Sequence, residues 1–488
     1  MKVTAGRQRG ISMKEPETMR GALPGRQHAE FHAGFIWAAL ATAVFAGFGI
    51  GSHLAFVIGF GFPLQASFPS MVQAHGHAQL IGWAGLFVMG TSLHFIPRLS
   101  SVPLPHQRWI NAILWLLVSG LLLRVFGQPA LPYLDGSRAL LPVRWLVAAS
   151  GALEGAGILL YLALLIKTLR GTGDILTQPA FGAVRPFFGM MVAGWLLYAG
   201  VNFPLLLDMS WSGYAVVDHA QNDLAIRGFI GLVLLPVAMA HSVRLFPMVL
   251  ALSAPFWPVW GTAYAYLLGV GLELVGTAVS TFGLEAGMVQ ALGPIGAMLK
   301  GGVILWFVWE LDLLTRRRPV ERPARFLQSG PDRPPTRPGL PDFGEFGRFE
   351  LLVYSAYIWL VLAAGSEVLD GFAVLAGQPP LLGMDAVRHM YLVGFITLLI
   401  FGVSVRMLPG FLHRKAVASP ALVEATIWLG NTATIFRVLP LVLPAALRES
   451  IPALGALAQG AFGLSGLIAL SAVVCLAVNL WRTAWHSP

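Results

Sequence analysis

Cysteine and charge are what this chain has least of. A single cysteine, Cys475, in 488 residues excludes a disulfide within the chain. It also excludes Cys-clustered zinc, iron–sulfur clusters and covalently attached c-type haem, so any metal or haem must use histidine, methionine or carboxylate. Only 11% of the residues are charged, against about 25% in soluble domains. With 56% hydrophobic residues and a mean hydropathy of +0.71, the composition is that of an all-α polytopic membrane protein. The net charge of +9 lies in loops beside apolar spans, which marks membrane orientation and not nucleic-acid binding. Residues 1–30 are polar and basic and the first apolar segment is full length, so no cleavable signal peptide is expected.

Apolar segments fall near 33–60, 75–97, 109–127, 144–166, 186–206, 219–243, 259–282, 288–312, 349–374, 386–411, 417–442 and 451–480. They predict twelve transmembrane helices. The tail 1–32 carries Lys2, Arg7, Arg9, Lys14, Arg20 and Arg26 and should be cytoplasmic. Counting alternately from it, the same side collects Arg98, Arg108, Lys167, Arg170, Arg185, Arg316, Arg317, Arg318, Arg406, Arg414, Lys415 and Arg482. The opposite loops hold Arg138, Arg144 and Arg448. The even count and this bias place both termini inside. Residues 313–348 are Pro- and Arg-rich and read as a cytoplasmic linker, its basic surface beside anionic lipid. It separates helices 1–8 (33–312) from helices 9–12 (349–480), and 481–488 form a C-terminal tail.

The chain repeats itself every four helices. Helix 2 runs from His77 to Gly82 and ends His94-Phe-Ile-Pro97, while helix 10 runs from His389 to Gly394 and ends Arg406-Met-Leu-Pro409. In both, Gly follows His by five residues and the terminal His or Arg follows Gly by twelve. Helix 6 has Asp223, Gly228 and Arg244-Leu-Phe-Pro247, with a Gly-to-Arg distance of sixteen, about one turn more. Three repeats of four helices predict a three-lobed bundle in which helices 2, 6 and 10 line equivalent interior surfaces.

His75 and His77 are two residues apart, and on an α-helix such positions diverge by about 200°. They must look into different spaces, which suits a helix wedged between two cofactors. A bis-imidazole haem takes histidines from two helices; His389 is the natural opposite number for one ring, and His219, at the same depth on helix 6, for the other. The plainer reading of any intramembrane histidine is a hydrogen-bonded or proton-relay role. That reading is preferred for His53, His94 and His241, while His28, His32, His106, His413 and His486 are expected to be solvated. Further charges lie inside apolar spans: Glu154, Arg227, Glu273, Lys300, Glu367, Asp370 and Arg388. Arg227 and Arg388 are the preferred partners for haem propionates. Asp223, Glu367 and Asp370 are candidate proton donors, the last two sharing a face at i, i+3. Intramembrane ion pairing is the alternative for all of these.

The motif His75-Gly-His77-x4-Gly82-Trp83 resembles the haem-ligating helix of haem–copper oxidase and nitric oxide reductase catalytic subunits. Those families have twelve helices in pseudo-threefold array, and their H-x-H pair serves two haems. Here the pair lies on helix 2 and not helix 10. A closer resemblance is to the NnrS family, bacterial membrane haem proteins linked to nitric oxide response. It rests on the early H-x-H with Gly82, and on a late His-x4-Gly-x11-Arg matched by His389, Gly394 and Arg406. Ala78 stands where that pattern usually has Glu, and Pro409-Gly410-Phe411-Leu412-His413 where it typically has Gly-His-Thr-Gly. Helix 6 offers His219-x3-Asp223, and helix 7 has no His-His pair, so a three-histidine copper site is not expected; a non-haem metal at His219 and Asp223 is a weaker alternative.

The resemblance implies two b-type haems near the periplasmic face, nitric oxide as ligand, and a quinol or cytochrome as electron donor. Nitric oxide would be detoxified or reduced, with turnover itself left open. Two rivals remain: an electron-transfer di-haem cytochrome, and a haem-free transporter or sensor with a histidine pathway.

Overall fold

The computed structural model describes residues 31–100, 103–170, 184–211, 219–250, 259–281, 287–318 and 343–485. Every regular element among them is helical. Twelve helices among these residues are long and apolar enough to cross a membrane. They are α1 (Ala33–Gly59), α2 (Phe68–Pro97), α3 (Arg108–Tyr133), α4 (Leu140–Arg170), α5 (Arg185–Pro204) and α6 (Asn222–Phe246). There follow α7 (Val259–Thr281), α8 (Leu292–Leu311), α9 (Phe349–Leu375), α10 (Met384–Phe411), α11 (Pro420–Val442) and α12 (Pro452–Trp485).

Several boundaries differ from expectation. α2 starts at Phe68, because Pro69 opens the helix before the apolar run begins, and so carries both histidines into its body. α12 runs on to Trp485 through residues expected to be tail. At the far end of the expected linker, Phe343–Phe346 are helical and the Glu345 carbonyl accepts from Val417 N at 3.1 Å; residues 319–342 lie outside the described ones. At the near end, Asp312 ends α8 in the left-handed region at φ 56°. Its carboxylate accepts from the Thr315 hydroxyl at 2.6 Å and from the amides of Arg317 and Arg318 at 2.8 and 2.7 Å. Burial pushes the Asp312 carboxyl up, but these donors outweigh it and hold it at about 2.

The fourfold period in sequence becomes a threefold arrangement in space. The most apolar windows of α2, α6 and α10 are 94%, 78% and 72% buried inside the protein, against 22–50% for the other nine spans. Those nine close a ring in the order α1, α3, α4, α5, α7, α8, α9, α11, α12 and back to α1. The repeated glycines admit the preceding outer helix. A Cβ on Gly82 would lie 2.1 Å from Thr42 of α1, on Gly228 2.6 Å from Leu197 of α5, and on Gly394 2.6 Å from Trp359 of α9. Each inner helix also leaves α geometry just past its motif, in π segments at Ala78–Gly85, Ile230–Leu234 and Met390–Thr397. A fourth lies in α1 at Ala43–Gly47. Such segments are rare and concentrate near functional sites.

Candidate cofactor cavity and its charged neighbours

His75 and His77 bond to different neighbours, His75 to α1 and His77 to α3, α4 and α5, yet both border one cavity. His75 Nδ1 lies 2.7 Å from the carbonyl of Gly47, the last residue of the α1 π segment, whose ψ of −84° is off the helical value. The ring lies over Gly51, where a Cβ would be 2.5 Å from its Cε1. On α10, His389 Nδ1 lies 2.7 Å from the carbonyl of Asp385. The Asp385 carboxylate is 3.2 Å from that ring and 3.0 Å from Arg437 Nη2 of α11. A carbonyl can only accept, so Nδ1 carries the proton in both rings and the lone pair is left on Nε2. This is the tautomer a metal-binding imidazole uses.

Both rings line one cavity of about 440 Å³, with Phe48, Leu54, Trp83, Leu392 and Phe462 among its apolar walls. Arg124, Arg388 and Arg437 also line it, together with the Asp385 carboxylate that pairs with Arg437. Two imidazoles with available Nε2 atoms on different helices, apolar walls and an excess of guanidinium suit a b-type haem.

His77 borders the same cavity but is bonded differently. Its Nε2 is 2.8 Å from Glu154 Oε1 of α4, while Nδ1 is 2.8 Å from Arg124 Nη1 of α3 and 2.7 Å from the Tyr198 hydroxyl of α5. Arginine can only donate, so Nδ1 accepts and Nε2–H donates to the carboxylate. Both nitrogens are committed, and the second haem expected of His77 has no axial nitrogen in this arrangement. The His219 side chain, its expected opposite number, lies outside the described residues.

The expected propionate partners are also committed. Arg388 pairs with Asp223, and Arg227 bonds Asp223 at 2.7 Å and Glu273 at 2.5 Å. Lys300 of α8 bridges Glu273 at 2.6 Å and Glu367 at 2.8 Å, and Tyr391 donates to Glu367 at 2.7 Å. This alternating chain lines a second cavity of about 380 Å³. Arg388 borders both cavities. Of the candidate proton donors, Asp223 and Glu367 belong to the chain, and Asp370 accepts from the Leu382 amide at 3.0 Å. Sequence reasoning missed Arg124 and Arg437. The signal was there in LLLRVFG (121–127) and TATIFRVLP (432–440), each an arginine inside an apolar run.

No family model matches the chain, and no curated protein sequence matches it. Solved structures do match. Among them is a cryo-EM structure of a heme-copper terminal oxidase dimer, 11% identical, with a TM-score of 0.64 over 93% of this chain and 83% of that one. At this identity the likeness is one of fold: a polytopic helical bundle of haem–copper-oxidase type.

Proposed function

We propose that this chain is a bacterial inner-membrane haem b protein, related to the NnrS family, that takes nitric oxide as ligand. One observation carries the haem reading: His75 and His389, on α2 and α10, line one cavity with each Nδ1 bonded to a backbone carbonyl. These residues would hold one b-type haem, fewer than the two expected from sequence. A haem held there would supply one-electron chemistry. The chain's own residues hold and orient. Gly47 and Asp385 fix the imidazole tautomers, and the apolar walls exclude water. The Trp83 indole, donating to Thr397 at 3.2 Å, ties α2 to α10 beneath the site.

Nitric oxide, with detoxification or reduction as the outcome, comes from the motif resemblance. The electron-transfer reading draws support from the same pair, since two imidazoles in one cavity would hold a haem from two helices without leaving its coordination to an outside ligand. The electron donor, quinol or cytochrome, and the cytoplasmic placement of both termini complete the proposal.

Reduced-minus-oxidised spectra of purified protein, with and without nitric oxide, decide among the readings. A Soret band that shifts with nitric oxide is expected; a band that does not shift leaves electron transfer alone, and no band leaves the transporter. His75→Ala and His389→Ala should each lose the haem, whereas His77→Ala should retain it. Full haem content in both of the first two variants would overturn the ligand assignment.

A further inference from the structure

Arg124 lines the cavity from the later half of α3 and is only 5% exposed. Its Nε donates to Gln128 Oε1 at 3.2 Å, and its Nη1 donates to His77 Nδ1 at 2.8 Å and Asn202 Oδ1 at 2.6 Å. None of these acceptors is a carboxylate. Glu154 is reached only through the His77 ring, which bonds it at 2.8 Å. The Tyr198 hydroxyl also lies within hydrogen-bonding reach of the guanidinium. A guanidinium buried within a membrane-spanning helix, without a directly bonded anion, is costly.

Asn202 of α5, also 5% exposed, adds an unspent donor. Because the guanidinium can only donate, the amide oxygen must face it, and Nδ2 is turned away. Nδ2 has no partner among the described residues. Arg124, Asn202 and the partly buried Asn222 all line the His75/His389 cavity. The other arginines of that cavity are answered, Arg388 by Asp223 and Arg437 by Asp385. Arg124 is not.

We infer that Arg124 and the Asn202 amide form a seat for a planar carboxylate-type oxyanion inside this cavity. A carboxylate matches the guanidinium fork and supplies the charge that the surrounding side chains withhold. Its source is either a small free carboxylate or the carboxylate arm of a macrocycle bound between His75 and His389. The second source rests on the haem reading above; the first does not.

The test uses full-length protein in lipid nanodiscs, prepared haem-free and then loaded with haemin, with formate titrated calorimetrically. Haem-free wild type should bind one formate per chain. Arg124→Gln should weaken that binding by about 30-fold or more. Asn202→Asp should abolish it while leaving thermal unfolding unchanged or raised, because the new carboxylate neutralises Arg124 from within. The second variant keeps the shape of the wall, so it decides the matter even if Arg124→Gln fails to fold. Loss of formate binding on haemin loading identifies the occupant as the macrocycle's carboxylate; retention identifies a free anion. Absence of formate binding by haem-free protein, or undiminished binding by Asn202→Asp, overturns the seat. Failure to take up haemin removes the haem reading alone, since the haem-free titration stands without it.

Discussion

A methyl group is enough to disturb the His75 ring. In Gly51→Ala the new Cβ would stand 2.5 Å from Cε1, so the imidazole must swing and give up the Gly47 carbonyl. We expect lower haem occupancy, with an altered low-spin signal in electron paramagnetic resonance from what remains. Glu154→Ala strands the His77 Nε2–H in a buried place and should lower stability by about 1–3 kcal/mol, read by thermal unfolding in detergent. His75 and His389 were legible because the two-residue spacing and the four-helix repeat are both linear properties of the chain. The commitment of His77 was not. Arg124, Glu154 and Tyr198 come from three other helices, and only packing decides which neighbour meets which ring.

Between elements, the chain of charges from Arg388 to Glu367 ties α6, α7, α8, α9 and α10 together. Removing one member leaves buried charge unanswered. Lys300→Met should cost about 3–5 kcal/mol, and adding Glu273→Gln and Glu367→Gln to it should recover much of the loss, again by thermal unfolding. The i, i+3 spacing of Glu367 and Asp370 suggested one shared role, yet Glu367 meets Lys300 while Asp370 caps the approach to α10. At the end of α8 the effect of pH has a definite sign. Asp312 is held at about 2, below the ordinary value of about 3.9, so its contribution is present above pH 4 and lost as pH falls through 2. Asp312→Asn should flatten the stability profile in that window.

For the whole molecule, hydropathy located all twelve spans, because a bilayer demands about 20 apolar residues per crossing whatever the fold. The inner position of α2, α6 and α10 was legible too, from the recurring glycine. What each lobe contains was not, since equivalent backbones carry unlike side chains: imidazoles in one place, a salt chain in another. Orientation is checked by reporter fusions after residue 318 and after Trp485, both expected to report the cytoplasm. Finally, Arg388 stands in the partition between the two cavities, one wall of which belongs to the charge chain. A fixed cation there makes the compartments electrically communicating vessels. A change of charge in either compartment would be felt in the other across that one side chain, without any atom passing through.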